Sequence, residues 1–313
     1  MIVLPTTRGD AALRAMPAVF VMIWSTGFIV ARYAMPNSPT FTFLSMRYGL
    51  SIVCFGVWIA ASRAAWPVGR VQWLHLGVTG VLMHAAYLGG VWAAVKAGIG
   101  AGTVALLVGL QPVLTALWLS AAAAPDRAHA VTARQWAGLA LGLLGLTLVV
   151  WRKLGVGEIT PWNLGLATVA LIGITAGTLY QKRFVAPCDV RTANTVQLLA
   201  AMIVSLPLAL LESEPIHWNP TFLTAMAWSV VVLTIGGSSL LYLLIQRGAA
   251  TRVTSLLYLV PPMTALLAWL LFDEVLTASM LVGMVLTAVG VALVVSVPSN
   301  QSVRPGGGTG DPT

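Results

Sequence analysis

The sequence predicts an all-α membrane protein of ten transmembrane helices, arranged as two inverted five-helix repeats. Three observations carry this. Of 313 residues, 58% are hydrophobic and only 8% are charged. A soluble domain carries about 25% charged residues and needs them to cover its surface. Apolar runs of the length that crosses a bilayer, about 20 residues, recur along the whole chain. Finally, the two halves of the chain match each other under a nearly constant offset.

The runs fall at 13–33, 41–62, 71–95, 102–122, 135–151, 161–183, 193–211, 221–246, 252–272 and 277–297. The first is too long for the core of a removable signal peptide. No small-residue cleavage site followed by a soluble domain comes after it. Connections are short, so there is no room for a second, soluble domain. Trp66, Trp73, Trp118, Trp136, Trp151, Trp162 and Trp218 lie near predicted span ends, where indoles favour the headgroup zone. Residues 298–313 end in SNQSVRPGGGTGDPT, a Gly/Pro-rich tail expected to be disordered. Cys54 and Cys188 lie far apart with no metal-ligand spacing around either, so no disulfide framework is expected.

The formal net charge is +8. The basic residues sit singly or in pairs between apolar runs, without the stripe or arm that binds nucleic acid. They act instead as topology signals. With a cytoplasmic N-terminus, twelve of the 17 Lys and Arg side chains fall inside, among them Arg63, Arg70, Lys182, Arg183, Arg247 and Arg252. Arg32, Arg47, Lys96, Arg152 and Lys153 are the rest. The expectation is a multi-pass protein of the inner, cytoplasmic membrane with both termini cytoplasmic.

An offset of 150 pairs Gly27 with Gly177, Ser25 with Thr175, Arg32 with Lys182 and Arg47 with Gln197. It continues through Trp92/Tyr242, Gly98/Gly248, Leu106/Leu256 and Pro112/Pro262. The offset then becomes 145, pairing Gly138 with Gly283 and Gly145 with Gly290. The change falls in the connection around AAAAPDRAHA. The expected units are therefore 13–151 and 161–297. Five spans per unit is an odd number, so the second unit must enter from the opposite side. Such inverted repeats recur in secondary transporters, with the substrate site near the midplane between them.

Several segments also resemble a known family. WSTGFIVARYAMP is similar to the first-span signature of EamA-type transporters in the drug/metabolite transporter superfamily. FTFLSMRYGL is similar to their second-span start, which carries an arginine, here Arg47. LLVGLQPVLTAL and LLYLVPPMTALLAWLLFDEVLTASMLVGMVLTAVGVALVV resemble the proline-containing fourth and ninth spans, the latter running on through the final span. The resemblance covers residues 13–297 and implies ten helices and passage of small metabolites such as amino acids. One departure stands out: the turn Phe272-Asp273-Glu274 has the family's acidic residue, whereas AAAAPDR follows span four.

All nine acidic residues lie in tails or connections. Superfamily members that exchange cationic drugs for protons resemble one another in using an embedded glutamate, so that mechanism is disfavoured. Arg47 could meet a substrate carboxylate, or snorkel to the surface. His84, near the middle of span three, could bind substrate or relay a proton. Trp24, Ser25 and Thr26 precede Gly27, and Tyr180 and Gln181 follow the matching Gly177. Tyr87 and Trp92 in span three, with Ser238, Ser239 and Tyr242 in span eight, form a similar aromatic and hydroxyl set. Gln111 and Tyr258 complete the candidate binding residues. Pro112, Pro261 and Pro262 are candidate hinges, because proline removes a backbone donor and bends a helix.

No Walker sequence is present, and Gly98-Ile-Gly100-Ala-Gly102 lacks the context of a nucleotide fingerprint. No cofactor, metal or catalytic residue is expected. The expected partners are a small-molecule substrate, with or without protons, and the lipid bilayer, but no nucleic acid. The protein is expected to be a monomer or homodimer. The reading is an exporter or facilitator working by alternating access. An uptake carrier or a lipid or sugar-nucleotide carrier of the same fold is the alternative, with a channel or an intramembrane enzyme further off.

Overall fold

The computed structural model describes residues 8–122, 133–155, 157–237, 240 and 259–295. These are helical apart from short connections, and no strand occurs among them. The first half contains α1 (Arg8–Ala34), α2 (Thr40–Ser62), α3 (Arg70–Gly80), π1 (Val81–Leu88), α4 (Gly89–Lys96), α5 (Ala101–Val108), α6 (Gln111–Ala122) and α7 (Ala133–Gly155). The second contains α8 (Pro161–Phe184), α9 (Val190–Leu210), α10 (Pro220–Ala227), π2 (Trp228–Gly237), α11 (Val260–Phe272) and α12 (Ala278–Val295). Six stretches among the described residues are long and apolar enough to cross a membrane: Ala18–Asn37, Thr40–Ser62, Arg70–Lys96, Pro161–Phe184, Val190–Leu210 and Pro220–Gly237. Ala101–Thr115, Trp136–Trp151, Val260–Phe272 and Ala278–Gly290 are shorter apolar helices.

Helix starts follow local chemistry. Thr160 caps α8 by accepting from the Asn163 backbone, while the Asn163 side chain accepts from Thr160 N, with Pro161 in the first turn. Asn219 caps α10 in the same sense, ahead of Pro220. The capping side chain of α9 is Asp189. The first turn of α2 has no cap of its own and borrows one from a distant carboxylate, Glu212.

The offset seen in the sequence reappears in the helices. Moving by 150 residues carries α2 onto α9 and α6 onto α11, each start agreeing within a residue. The pairing of α2 with α9 is antiparallel. Glu212, just past the end of α9, reaches the start of α2, and Thr192, at the start of α9, donates to Ala65 O past the end of α2. Helix α7 packs along α12, backbone against backbone at glycine: a Cβ on Gly283 would lie 2.6 Å from Gly145 O. Helix α8 lies on π1 and α4 in the same way, through Gly173 and Gly90.

Two local features differ from a series of plain helices. The predicted span 102–122 is interrupted at Gly109-Leu110, between α5 and α6. Pro112 lies in the first turn of α6 and Pro261 in that of α11, where the missing N–H costs no helical bond. The break at Gly109 meets the start of α11, since a Cβ on Gly109 would lie 2.8 Å from Pro261 Cγ. The prolines thus start helices instead of bending them from within. The second feature is the π-helical winding of π1 and π2, at corresponding places in the two halves. Nothing in the hydrophobic pattern signals it.

The ends of the bundle differ in charge. Glu158, Glu212, Glu214, Asp273 and Glu274 gather at one end. Arg63, Arg70, Lys182 and Arg183 lie at the other. We call these the acidic and basic ends.

Candidate functional site

Helix α2 places Arg47 about two turns in from the acidic end, where the side chain is only 6% exposed. Its Nε and Nη2 both donate to Thr234 Oγ1 of π2, at 3.2 and 3.1 Å. The Thr234 hydroxyl spends its own proton on Ser229 O at 2.9 Å, a carbonyl left accessible by the π-helical winding. Its lone pairs are therefore turned to the guanidinium. The Arg47 Cζ also lies 5.6 Å from the centre of the Trp92 ring, within cation–π range. Among the described residues, no carboxylate pairs with Arg47. Tyr48, Tyr87 and His84 are close enough to feel its charge.

Across from this pair, Gln197 of α9 adjoins the His84 side chain in π1. The 150-residue offset relates Arg47 to Gln197 and His84 to Thr234. The contact Arg47–Thr234 and the contact Gln197–His84 are therefore one interaction repeated in the two halves, each tying the second span of one half to the third span of the other. Chemistry breaks the symmetry: one copy holds a guanidinium, the other a neutral amide. Around them, Tyr48 donates to His84 O at 2.8 Å, and Trp24 adjoins Tyr87. Trp92 stacks on Phe43 with centroids 4.8 Å apart.

Of the residues singled out in the sequence, the structure brings together Arg47, His84, Tyr87, Trp92 and Trp24. Ser25 lies deeper between helices: it donates to Val21 O at 2.7 Å, and its own carbonyl accepts from Thr264 of α11 at 3.4 Å. Thr26 donates to Ile23 O and accepts from Trp228 Nε1, linking α1 to π2. Gln111 donates to Thr178 of α8 at 3.0 Å. Tyr180 lies towards the basic end, 2.9 Å from His75 Nδ1, and Gln181 beside it is exposed. These two are not gathered with Arg47. Ser238, Ser239, Tyr242 and Tyr258 fall outside the described residues, whereas Pro112, Pro261 and Pro262 are described.

Sequence reasoning passed over Thr234 and Tyr48, and named Gln197 only as the repeat partner of Arg47. Thr234 had a signal available: it is the repeat partner of His84. A threonine in an apolar helix is too common to stand out without that pairing.

Apolar helices long enough to cross a membrane, repeated in two halves around a buried polar centre, are an arrangement that recurs in secondary transporters. The profile of the EamA-like transporter family matches residues 15–151 and again 161–296. This chain belongs to that family. It is 24% identical over 294 residues to a protein of Escherichia coli (strain K12) named "Probable amino-acid metabolite efflux pump", covering 91% of this chain and 94% of that one. A protein of the same name from Salmonella typhimurium is 24% identical over 280 residues, covering 86% and 90%. The uncharacterized transporter YvbV of Bacillus subtilis is 23% identical over 303 residues, covering 93% and 92%. A solved crystal structure with 16% identity covers 92% of this chain and 96% of its own, with a TM-score of 0.63, which places both in one fold.

Proposed function

We propose that this chain is a secondary carrier that exports small carboxylate-bearing metabolites of the amino-acid class. It works by alternating access between two inverted five-helix repeats, 13–151 and 161–297, ten spans in all, with both termini cytoplasmic. The observation that carries this is Arg47: a guanidinium buried between the halves with no carboxylate partner among the described residues. A buried charge lacking its counter-charge is costly, and a substrate carboxylate supplies what the fold withholds. The aromatic rings of Trp92, Tyr87 and Trp24 suit the apolar part of such a substrate. The names of the E. coli and Salmonella relatives agree with this substrate class and with outward transport.

The paired contacts supply the mechanism. Each joins a second span to the third span of the opposite half, so rocking one half against the other strains both. Because the halves are related by inversion, each can take the other's arrangement and open the site to the other face.

The test is counterflow. Purified protein in liposomes preloaded with unlabelled solute is offered labelled amino acids and related carboxylates. Saturable exchange without ATP supports a carrier. Non-saturating flux would make it a channel, and conversion to product would make it an enzyme. Arg47→Gln should raise the half-saturation concentration by about tenfold or more, the worth of a charge-assisted hydrogen bond. An unchanged value would remove Arg47 from the site.

A further inference from the structure

We infer that the site selects carboxylates that carry no charged amino group, such as 2-oxo acids or N-acylated amino acids, and that the membrane potential itself drives them outward. This rests on the carrier reading above and narrows its substrate.

The argument is an account of donors and charges. A guanidinium has five N–H donors and no acceptor. Two of the five on Arg47 go to Thr234 Oγ1. The other three have no acceptor among the described residues, and two of them sit on the same nitrogen, Nη1. The edge formed by Nη1 and Nη2 is the one that binds a carboxylate through both oxygens.

The same site offers no carboxylate to an ammonium group. No Asp or Glu falls in any of the ten predicted spans. That holds also for 238–258, SSLLYLLIQRGAATRVTSLLY, which contributes Arg247 and Arg252 but no acid. The carboxylate at the start of α2 is already engaged: Glu212 accepts from Phe41 N at 2.9 Å, from Thr42 N at 2.8 Å and from Thr42 Oγ1 at 2.9 Å. It sits about five residues from Arg47 along the helix, roughly 7.5 Å of rise. A zwitterion entering here would neutralise Arg47 and leave its own ammonium facing neutral hydroxyls and rings, a poor exchange for hydration. A monoanion leaves no charge over.

Direction follows from the same balance. Each turnover moves one negative charge, and an inside-negative potential expels anions. About 100 mV shifts the equilibrium distribution of a monoanion some 40- to 50-fold towards the outside. Such export needs no proton-binding carboxylate within the spans.

The experiment uses the full chain in liposomes with two probes of one shape, phenylpyruvate and phenylalanine. Phenylpyruvate should show a half-saturation concentration at least about tenfold below that of phenylalanine. Its efflux should speed up under an inside-negative potassium diffusion potential and slow under an inside-positive one. Arg47→Lys, which keeps the charge but not the two-pronged edge, should keep the preference in weakened form, and Arg47→Gln should lose it; any phenylpyruvate flux that remains stays potential-driven, because the charge moved is the substrate's. Preference for phenylalanine, or phenylpyruvate flux indifferent to potential, overturns the inference while leaving a carrier. Absence of saturable flux for every carboxylate offered overturns the carrier reading with it.

Discussion

Thr234 is the residue whose role depends most on its neighbours. Alone it is a threonine in an apolar stretch. In place, its proton is held by Ser229 O and its lone pairs fix the angle of the Arg47 guanidinium. Thr234→Val keeps the shape and removes the one hydroxyl that accepts from both Arg47 nitrogens. It should weaken carboxylate binding several-fold while Arg47 still carries its charge, so the selectivity between anion and zwitterion should survive with a raised half-saturation concentration. Loss of that selectivity would mean that Thr234 itself touches substrate. His84 stands in the matching place of the other half, and a relay role for it would show as a changed pH profile of flux in His84→Ala.

At the scale of elements, the starts of α2 and α9 are related by the repeat yet capped in different ways. Helix α9 caps itself: Asp189 Oδ1 accepts from Arg191 N at 2.9 Å, and the Arg191 guanidinium pairs with the same carboxylate at 2.5 Å. Those bonds with Arg191 hold the Asp189 carboxyl below its usual range, against a smaller opposing effect of burial. The folded state thus binds its proton less readily than the unfolded chain, whose Asp titrates near pH ~3.9. The cap's contribution is present above that pH and fades as pH falls through the lower, folded value. Asp189→Ala should cost about 1 kcal/mol at neutral pH, read as a lowered thermal midpoint in detergent. The gap between variant and parent should close in strong acid. A gap that persists there would assign the loss to packing.

Across the whole molecule, several bonds join the two halves at the acidic end. Glu212 clasps the first turn of α2, Lys96 pairs with Glu214, and Glu274 accepts from Ala101 N at the start of α5 at 3.1 Å. Asn219 of the second half also donates to Asn37 of the first at 2.6 Å. At the basic end, the position that matches Glu212 is Ser62, which only bonds back to its own helix at Trp58 O. Among the described residues, carboxylates bond the two halves together at the acidic end, whereas the basic end is joined by Gln72 with Ala186 and by Thr192 with Ala65 O. If the halves rock, Glu212→Gln should ease opening at the acidic end. A cysteine replacing Ser45, buried in α2, should then react several-fold faster with an impermeant maleimide in a background where Cys54 and Cys188 are serine. An unchanged rate would show that the clasp serves only to start α2.

Much of this was open to reading along the chain. The shortage of charge named the solvent, because a chain with so few ionic groups cannot cover itself in water. The 150-residue offset, running through Gly27/Gly177 and Pro112/Pro262, disclosed the duplication. Five apolar runs per half, an odd number, carried the expectation of inversion. Arg47 and His84 stood out because ionisable groups are costly in a bilayer. What the sequence could not disclose is how the elements meet. The π-helical winding of π1 and π2 has no hydrophobic signature, since apolar residues line both turns. Tyr180 and Gln181, which follow the matching glycine as closely as Trp24 precedes the first, turn out to lie towards the basic end, because α8 starts at the acidic end and they come late along it. Only the tertiary structure set Arg47 against Thr234 across the two halves. Sequence alone placed Arg47 inside a predicted span and left open whether it faced a substrate or the surface. The packing of α2 against π2 decided which of its donors were left over for a substrate.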